Sequence, residues 1–188
     1  MITESIRSYS LFIQGFRNTQ LISSESILQE LRASVDGVDL QVLRADRIAC
    51  KEHIIFAARN AVDSFGGKDR RAKQLSMELL LFASGEHQIV EAVKLLGVGS
   101  WSTEVVVVGL SETALDPDVL SSKVARIIKG VPDDTVLHLE SLLKVEAMKE
   151  AYNISDRELN SSRSPGEDER DALKRLVIER SALLALEN

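Results

Sequence analysis

The sequence predicts an α/β protein of the mixed α+β type, with a small central mixed sheet packed with several helices and a long C-terminal helix. Three observations predict this fold class. Residues 9–16 and 38–45 alternate apolar and polar side chains, which is typical of strands that bury one face. Residues 105–110 form a β-branched run without a polar residue, as in a strand covered on both faces. Elsewhere, apolar residues recur at helical spacing.

The first predicted helix lies between the strands 9–16 and 38–45. Ser24 is the predicted cap, because a serine oxygen can accept a backbone N–H of the first helical turn. The apolar face of this helix consists of Ile27, Leu28 and Leu31.

Three more helices are predicted before the strand at 105–110. The first begins at Lys51 and ends before the Gly66–Gly67 pair. The segment MELLLFASG is compatible with a buried strand or a buried helix, and a helix is the favoured interpretation. The third helix ends at Gly97, and its apolar face consists of Ile89, Ala92, Val93 and Leu96.

The strand at 105–110 is expected to be central in the sheet. Asp116 followed by Pro117 predicts a helix over residues 117–128, because an aspartate cap and a first-turn proline are typical of helix starts. Residues 136–139 then predict a strand that returns to the sheet.

Helices complete the chain. One is predicted over residues 141–151, and Ser155 is the predicted cap of a shorter one. A polar linker is expected at about 160–168, within which Ser164 and Glu167 are predicted to cap the long last helix. The apolar stripe of that helix consists of Leu173, Leu176, Val177, Leu183 and Leu184.

Length, charge and cysteine content narrow the class of protein. A chain of 188 residues can form one core, so a single domain over residues 1–188 is expected. The net charge of -6 would repel a nucleic-acid backbone unless a local basic patch offsets it. One cysteine, Cys50, fits a reducing compartment. Without a signal-like start or an apolar run of ~20 residues, we expect a cytoplasmic protein that does not contact membranes.

Motifs for catalysis, cofactors and metals are missing from the sequence. It contains no GxxxxGK loop, no GxGxxG, no HExxH and no GxSxG. The three histidines, His53, His87 and His138, are far apart, and one cysteine gives no pair of zinc ligands. We therefore expect no catalytic residue, no cofactor and no metal.

Three segments are candidate binding sites. A basic cluster follows the glycine pair at 66–67, and it consists of Lys68, Arg70, Arg71 and Lys73. At residues 83–88 one helix is predicted to end and another to begin, which exposes N–H groups suited to a phosphate. The third candidate is the apolar stripe of the last helix. The structural alternatives are a solvated loop, a plain helix–turn–helix corner and a helix packed entirely on its own core.

The run ELLLFASGEHQIVEAVKLLGV resembles the signature of the Cgi-type subunit of the KEOPS complex, the family that includes the animal PRPK-binding protein. KEHIIFAARNAVDSF resembles the family's preceding helix. VVVVGL and LESLLKVEAMKEAYNIS resemble its later strand and helix. The resemblance covers most of residues 9–185, in the expected order.

The resemblance implies an accessory subunit without enzymatic activity. The family's complex installs threonylcarbamoyl on the adenosine next to the tRNA anticodon, using a separate catalytic subunit and a small atypical kinase. Family members dock on the amino-terminal lobe of that kinase, and archaeal members hold the single-stranded CCA end of tRNA. The tRNA-facing candidates carried over are Lys68, Arg70, Arg71, Lys73, Ser84, Gly85, His87 and Gln88. The kinase-facing candidates are Leu173, Leu176, Val177 and Arg180.

One departure from the family concerns His87, which stands where members commonly carry arginine. A histidine is only partly charged near neutral pH, so weaker or pH-sensitive tail binding is expected. The leading hypothesis is a tRNA-recruiting adaptor that also binds the kinase. A protein-only adaptor or regulator of the kinase is the alternative, and the acidic net charge favours it. A small-molecule enzyme or sensor on a similar fold is the third hypothesis.

Overall fold

The computed structural model describes residues 1–21, 23–67 and 70–186, which form five strands and eight α-helices. The strands are β1 Ile2–Ile6, β2 Tyr9–Arg17, β3 Asp39–Arg44, β4 Glu104–Ser111 and β5 Val131–Pro132. The first four helices are α1 Ser24–Ser34, α2 Lys51–Phe65, α3 Leu75–Ser84 and α4 Ile89–Leu96. The other four are α5 Pro117–Ile128, α6 Leu142–Ala151, α7 Asp156–Ser162 and α8 Glu169–Leu186. The α+β class and the long last helix are confirmed.

The sheet has the strand order β1-β2-β4-β3, and β5 pairs with the end of β2. Every described pairing is antiparallel, so the predicted mixed sheet is wrong in this detail. Strands β2 and β3 do run in the same direction, but β4 lies between them and pairs with both.

The central position predicted for residues 105–110 is confirmed, because β4 is covered on both faces. Val106, Val108 and Leu110 belong to the core formed with α2 and α3. Val105 and Val107 belong to the core formed with α1 and α5 on the opposite face. The sheet therefore separates α3 from α5.

A third apolar core joins the last three helices to the start of α2. It contains Met148 of α6, Leu159 of α7 and Leu173 of α8, together with Cys50. Helix α8 also packs against α2 and α3. This packing brings the end of the chain to the end of α3, where the candidate corner lies.

Two predicted elements in the first 140 residues need correction. Residues 136–139 do not form a strand, since Asp134–Leu137 is a short 3-10 helix and Val131–Pro132 supplies the pairing with β2. The Asp133 carboxyl accepts the Thr135 N–H at 2.9 Å, which favours a turn at this point. The cap of α1 is Ser23, whose hydroxyl accepts the Ser26 N–H at 3.2 Å.

The start of the last helix also differs from the prediction. Glu167 does accept the Ser164 N–H at 2.8 Å, as in a capping box, but α8 begins at Glu169. The Asp168 carboxyl accepts the Arg170 N–H at 3.1 Å and so occupies the cap position. Helix α7 extends to residue 162, which shortens the connection to residues 163–168. None of the described helices combines the length and apolar character needed to cross a bilayer.

Candidate functional site

The corner between α3 and α4 is formed by Ser84, Gly85, Glu86, His87 and Gln88. Gly85 has φ +70° and ends α3, and its N–H donates to the Leu81 carbonyl at 2.9 Å. The Glu86 N–H donates to the same carbonyl at 3.3 Å and to the Ser84 hydroxyl at 3.2 Å. The expectation that these amides are exposed for a ligand is therefore wrong for Gly85 and Glu86, because the turn itself uses them.

The donors that face outward belong to the first turn of α4. Gln88 makes no side-chain capping bond, and the Ala92 N–H is the amide that bonds back to the Gln88 carbonyl, at 3.0 Å. The amides of residues 89–91 precede the first possible intrahelical bond, so solvent or a ligand must satisfy them. Ser84 is buried, whereas His87 and Gln88 are exposed. The predicted site thus shifts toward α4.

A groove of about 260 Å³ opens beside this corner. Its walls come from the corner, the turn after α6 and the last turns of α8. The lining residues are Ser84, Gly85, Glu86, His87, Ala151, Tyr152, Asn153, Arg180, Leu183 and Leu184. A Cβ atom at Gly85 would lie 3.2 Å from the Arg180 carbonyl oxygen, so α8 approaches the corner closely. Glycine is required here by both space and backbone conformation.

The basic cluster is used largely within the fold. Lys68 lies outside the described residues. The Arg70 guanidinium donates to the carbonyls of Ala72, at 2.7 Å, and Lys73, and it lies 4.0 Å from the Phe65 ring centroid. Arg71 donates to the Leu184 carbonyl at 2.9 Å. Among the described members of the cluster, Lys73 is exposed, and its side chain does not donate to a carbonyl group of the protein. Lys73 is therefore the cation best placed for a phosphate.

The cluster and the groove nevertheless lie side by side. Arg71 binds the carbonyl of Leu184, and Leu184 lines the groove. The Arg71 guanidinium also lies 5.4 Å from the ring centroid of Phe82, near the end of α3. Two segments that the sequence marked separately are therefore brought together by the last turn of α8.

Glu78 supports the basic loop, and the sequence analysis missed it. Its carboxyl is fully buried and accepts the N–H groups of Arg71, at 3.1 Å, and Ala72, at 2.7 Å. It also accepts the Ser64 hydroxyl at 2.6 Å. The sequence did contain a sign of this role, because Glu78 is a single acid within the apolar run of α3. A carboxyl is buried at low cost only where it binds several hydrogen-bond donors. Glu78 fixes the conformation of the basic loop.

The sequence model of the family described as "Kinase binding protein CGI-121" matches residues 16–185, which include the corner, the basic loop and nearly all of α8. The chain belongs to this family. The regulatory protein Cgi121 of Methanocaldococcus jannaschii is 31% identical over 103 residues, which are 55% of this chain and 63% of that protein. The KEOPS complex subunit Cgi121 of Pyrococcus abyssi is 31% identical over 91 residues, which are 48% of this chain and 50% of that protein. The aligned part of the chain spans less than two thirds of either relative.

For this member of the CGI-121 family, the expected kinase-facing residues are mostly inaccessible. Leu173, Leu176 and Val177 are buried in the core shared with α6 and α7, which excludes direct contact with a partner while α8 stays packed. Arg180 is half-buried, lines the groove and pairs with Glu158 at 2.5 Å. The apolar stripe of α8 is therefore explained by the protein's own core, except at Leu183, which is exposed and lines the groove.

Burial shifts the pKa values of several ionisable groups. Burial lowers the pKa of the His53 imidazole to about 4 and that of the Lys144 ammonium to about 8. Burial raises the pKa of the Cys50 thiol to about 11, so the thiol is protonated at neutral pH and is a poor nucleophile. Within the described parts of the chain, no three His, Cys, Asp or Glu side chains are grouped to hold a metal ion.

Proposed function

We propose that this CGI-121 family member is a non-catalytic accessory subunit of a KEOPS complex, acting in the cytoplasm in tRNA threonylcarbamoyladenosine modification. It binds the amino-terminal lobe of the complex's atypical kinase and recruits tRNA through the 3′ CCA end, and so serves the catalytic threonylcarbamoyl-transferase subunit indirectly. The family description names kinase binding, and the Pyrococcus abyssi relative is named as a KEOPS subunit.

The groove beside α4 is the observation that supports the tRNA-binding part of the proposal. Its lining includes the apolar side chain of Leu183. The first turn of α4 follows the corner directly, and there the amides of residues 89–91 have no intrahelical partner and the side chains of Ile89 and Val90 are exposed. Phosphates are bound by such amides, and unstacked bases are bound by apolar or aromatic surfaces. A single-stranded RNA end carries both groups, whereas a duplex buries its bases.

The few charges near the groove favour moderate affinity with a modest dependence on salt. Lys73 is exposed at the end of the basic loop, and His87 lies at the mouth of the groove. Glu86 lines the same groove and opposes a phosphate. Since the molecule as a whole is acidic, we expect the tRNA tail to bind through local contacts near the corner and not through a broad basic surface.

Binding of intact tRNA and of tRNA trimmed of its CCA end tests the proposal. We expect trimming to weaken binding about tenfold, because the contacts of at least one stacked base are lost. The variants Lys73→Glu and His87→Glu should weaken binding of intact tRNA. Lys129→Glu is the matched control, since Lys129 is exposed at the end of α5 across the sheet. Equal affinity for both tRNAs would reject the groove as the tail site.

A protein-only adaptor or regulator of the kinase is the second candidate function. Arg70 and Arg71 donate to carbonyls of their own chain, which reduces the charge offered to RNA. This function predicts that the kinase co-purifies with the chain while intact tRNA causes no change in fluorescence anisotropy at physiological salt. A tRNA signal that depends on the CCA end would instead select the first candidate.

A further inference from the structure

The last carbonyl groups of α3 are bound by side chains from three other elements. The final carbonyls of a helix have no partner within it and must find one elsewhere. The Phe82 carbonyl accepts the Ser181 hydroxyl of α8. The Ala83 carbonyl accepts His53 Nε2 of α2 at 2.7 Å and the Tyr152 hydroxyl, from the residue after α6, at 3.1 Å. The peptide that leads into the corner is thus held from several sides.

His53 makes its bond to Ala83 under conditions that do not favour a histidine. The ring is fully buried, and burial lowers its pKa to about 4, so the imidazole is neutral at pH 7. Because Nε2 donates to the Ala83 carbonyl, Nδ1 is the unprotonated acceptor, and it has no partner within the described part of the chain. An unpaired buried acceptor is unfavourable, so an apolar residue would pack here at lower cost. The bond to Ala83 accounts for a histidine at this position.

Tyr152 joins the same carbonyl to the wall of the groove. Its hydroxyl oxygen lies 3.1 Å from both the Ala83 and the Arg47 carbonyl oxygens, and its ring meets the His53 ring edge-on at 5.8 Å. The hydroxyl has a single proton, so it donates to one of the two carbonyls at a time. Its position nevertheless links the two segments of backbone. Tyr152 also lines the groove.

We infer that His53 and Tyr152 are positioning residues for the groove, which act through the Ala83 carbonyl to hold residues 84–88 and the first turn of α4 in place. The inference rests on the proposed function of the groove as the site for a tRNA end. Neither the imidazole nor the phenol hydroxyl contacts the ligand, because both are turned toward the Ala83 carbonyl. Loss of either bond removes no contact with the ligand, but it releases the peptide group before Ser84 and so leaves the corner less firmly positioned.

The variant Tyr152→Phe removes one hydroxyl and keeps the ring that lines the groove. We expect the ratio of affinities for intact and CCA-trimmed tRNA to fall about threefold to tenfold, while binding to the kinase stays at the wild-type level. Tyr9→Phe is the matched control, because it removes a hydroxyl at the start of β2 that donates to the Glu112 carboxyl at 2.8 Å. This variant should leave the ratio unchanged.

His53 supplies an independent second test. His53→Leu removes the donor to Ala83 and should lower the same ratio, whereas His53→Gln keeps an amide donor and should restore part of it. A wild-type ratio in Tyr152→Phe and His53→Leu would overturn the inference and leave the proposed function standing. A parallel loss of kinase binding would overturn it in favour of a general structural role. If the wild-type chain itself bound both tRNAs equally, the proposed function and the inference would both fail.

Discussion

The two ends of α3 hold their neighbouring segments by different means. Before the helix, a single carboxyl, that of Glu78, accepts the backbone N–H groups of Arg71 and Ala72. In its last turn, the carbonyls of Phe82 and Ala83 are bound by side chains distant in sequence. The basic loop is therefore held by charged side chains that bond backbone groups, those of Glu78, Arg70 and Arg71. The corner is held by neutral side chains from α2, α8 and the turn after α6.

This difference separates the two parts of the proposed site. The loop carries charge, but Arg70 and Arg71 use theirs within the fold, so Lys73 is the described cation of the loop that is placed to meet a ligand. The corner carries little charge but is fixed by the tertiary structure, so it can impose a geometry on a bound group. Preorganised contacts are the ones that give binding specificity, which assigns selection of the ligand to the corner.

Replacing Glu78, which binds two backbone N–H groups of the basic loop, should have the largest effect on stability. Glu78→Ala removes the acceptor of two backbone N–H groups and one hydroxyl in a buried site, so we expect a loss of about 4 kcal/mol in the free energy of unfolding. Urea denaturation measures this loss. Glu91→Ala, which removes an exposed acid paired with Lys94, should change the value by less than about 0.5 kcal/mol. A loss below about 1 kcal/mol in Glu78→Ala would show that the contacts of Arg70 and Arg71 hold the loop without Glu78.

The corner should weaken in acid because of His53. Its pKa is about 4 in the folded protein against an ordinary value of 6.5, owing to burial and, to a lesser degree, the positive charge of Lys144. Between these values the unfolded chain binds a proton and the folded protein does not. His53 therefore lowers the free energy of unfolding only below pH 6.5. The loss reaches roughly 3 kcal/mol as the pH drops to 4.

Urea unfolding at pH 7, 5.5 and 4.5 measures this loss. The His53→Gln variant has no imidazole to titrate, so its stability should fall less over the same range. Parallel curves for the two proteins would show that His53 does not carry the acid sensitivity of the corner.

The fold was predictable where local signals agreed. Strands β2 and β4 followed from alternation and from the valine run, and α5 followed from Asp116 and Pro117, whose cap the structure confirms. Strand β1 was not predicted, because a short edge strand of mixed polarity has no distinctive pattern. The sheet order also required knowledge of long-range pairing, since β4 inserts between two strands that precede it in the chain.

The candidate site was predictable as two segments but not as an arrangement. Charge marked the basic loop, and the family motif marked the corner. The sequence could not indicate that Arg71 turns toward the Leu184 carbonyl, or that His53 and Tyr152 meet at Ala83. The sequence also could not decide whether the apolar stripe of α8 packs on the protein's own core or on a partner, because Leu173 and Val177 fit both arrangements.

The smallest expected effect tests how rigid the corner is. Gly85→Ala places a Cβ atom at φ +70° and 3.2 Å from the Arg180 carbonyl oxygen, so we expect a loss of about 1–2 kcal/mol in the free energy of unfolding. Gly66→Ala is the matched control, because Gly66 ends α2 with φ −80° and its Cβ would meet only the Val62 carbonyl oxygen, at 3.5 Å. There the added methyl group should be neutral or slightly stabilising. Equal values for the two variants in urea denaturation would mean that the corner accepts an added methyl group as readily as the end of α2, which would contradict its description as the rigid part of the proposed site.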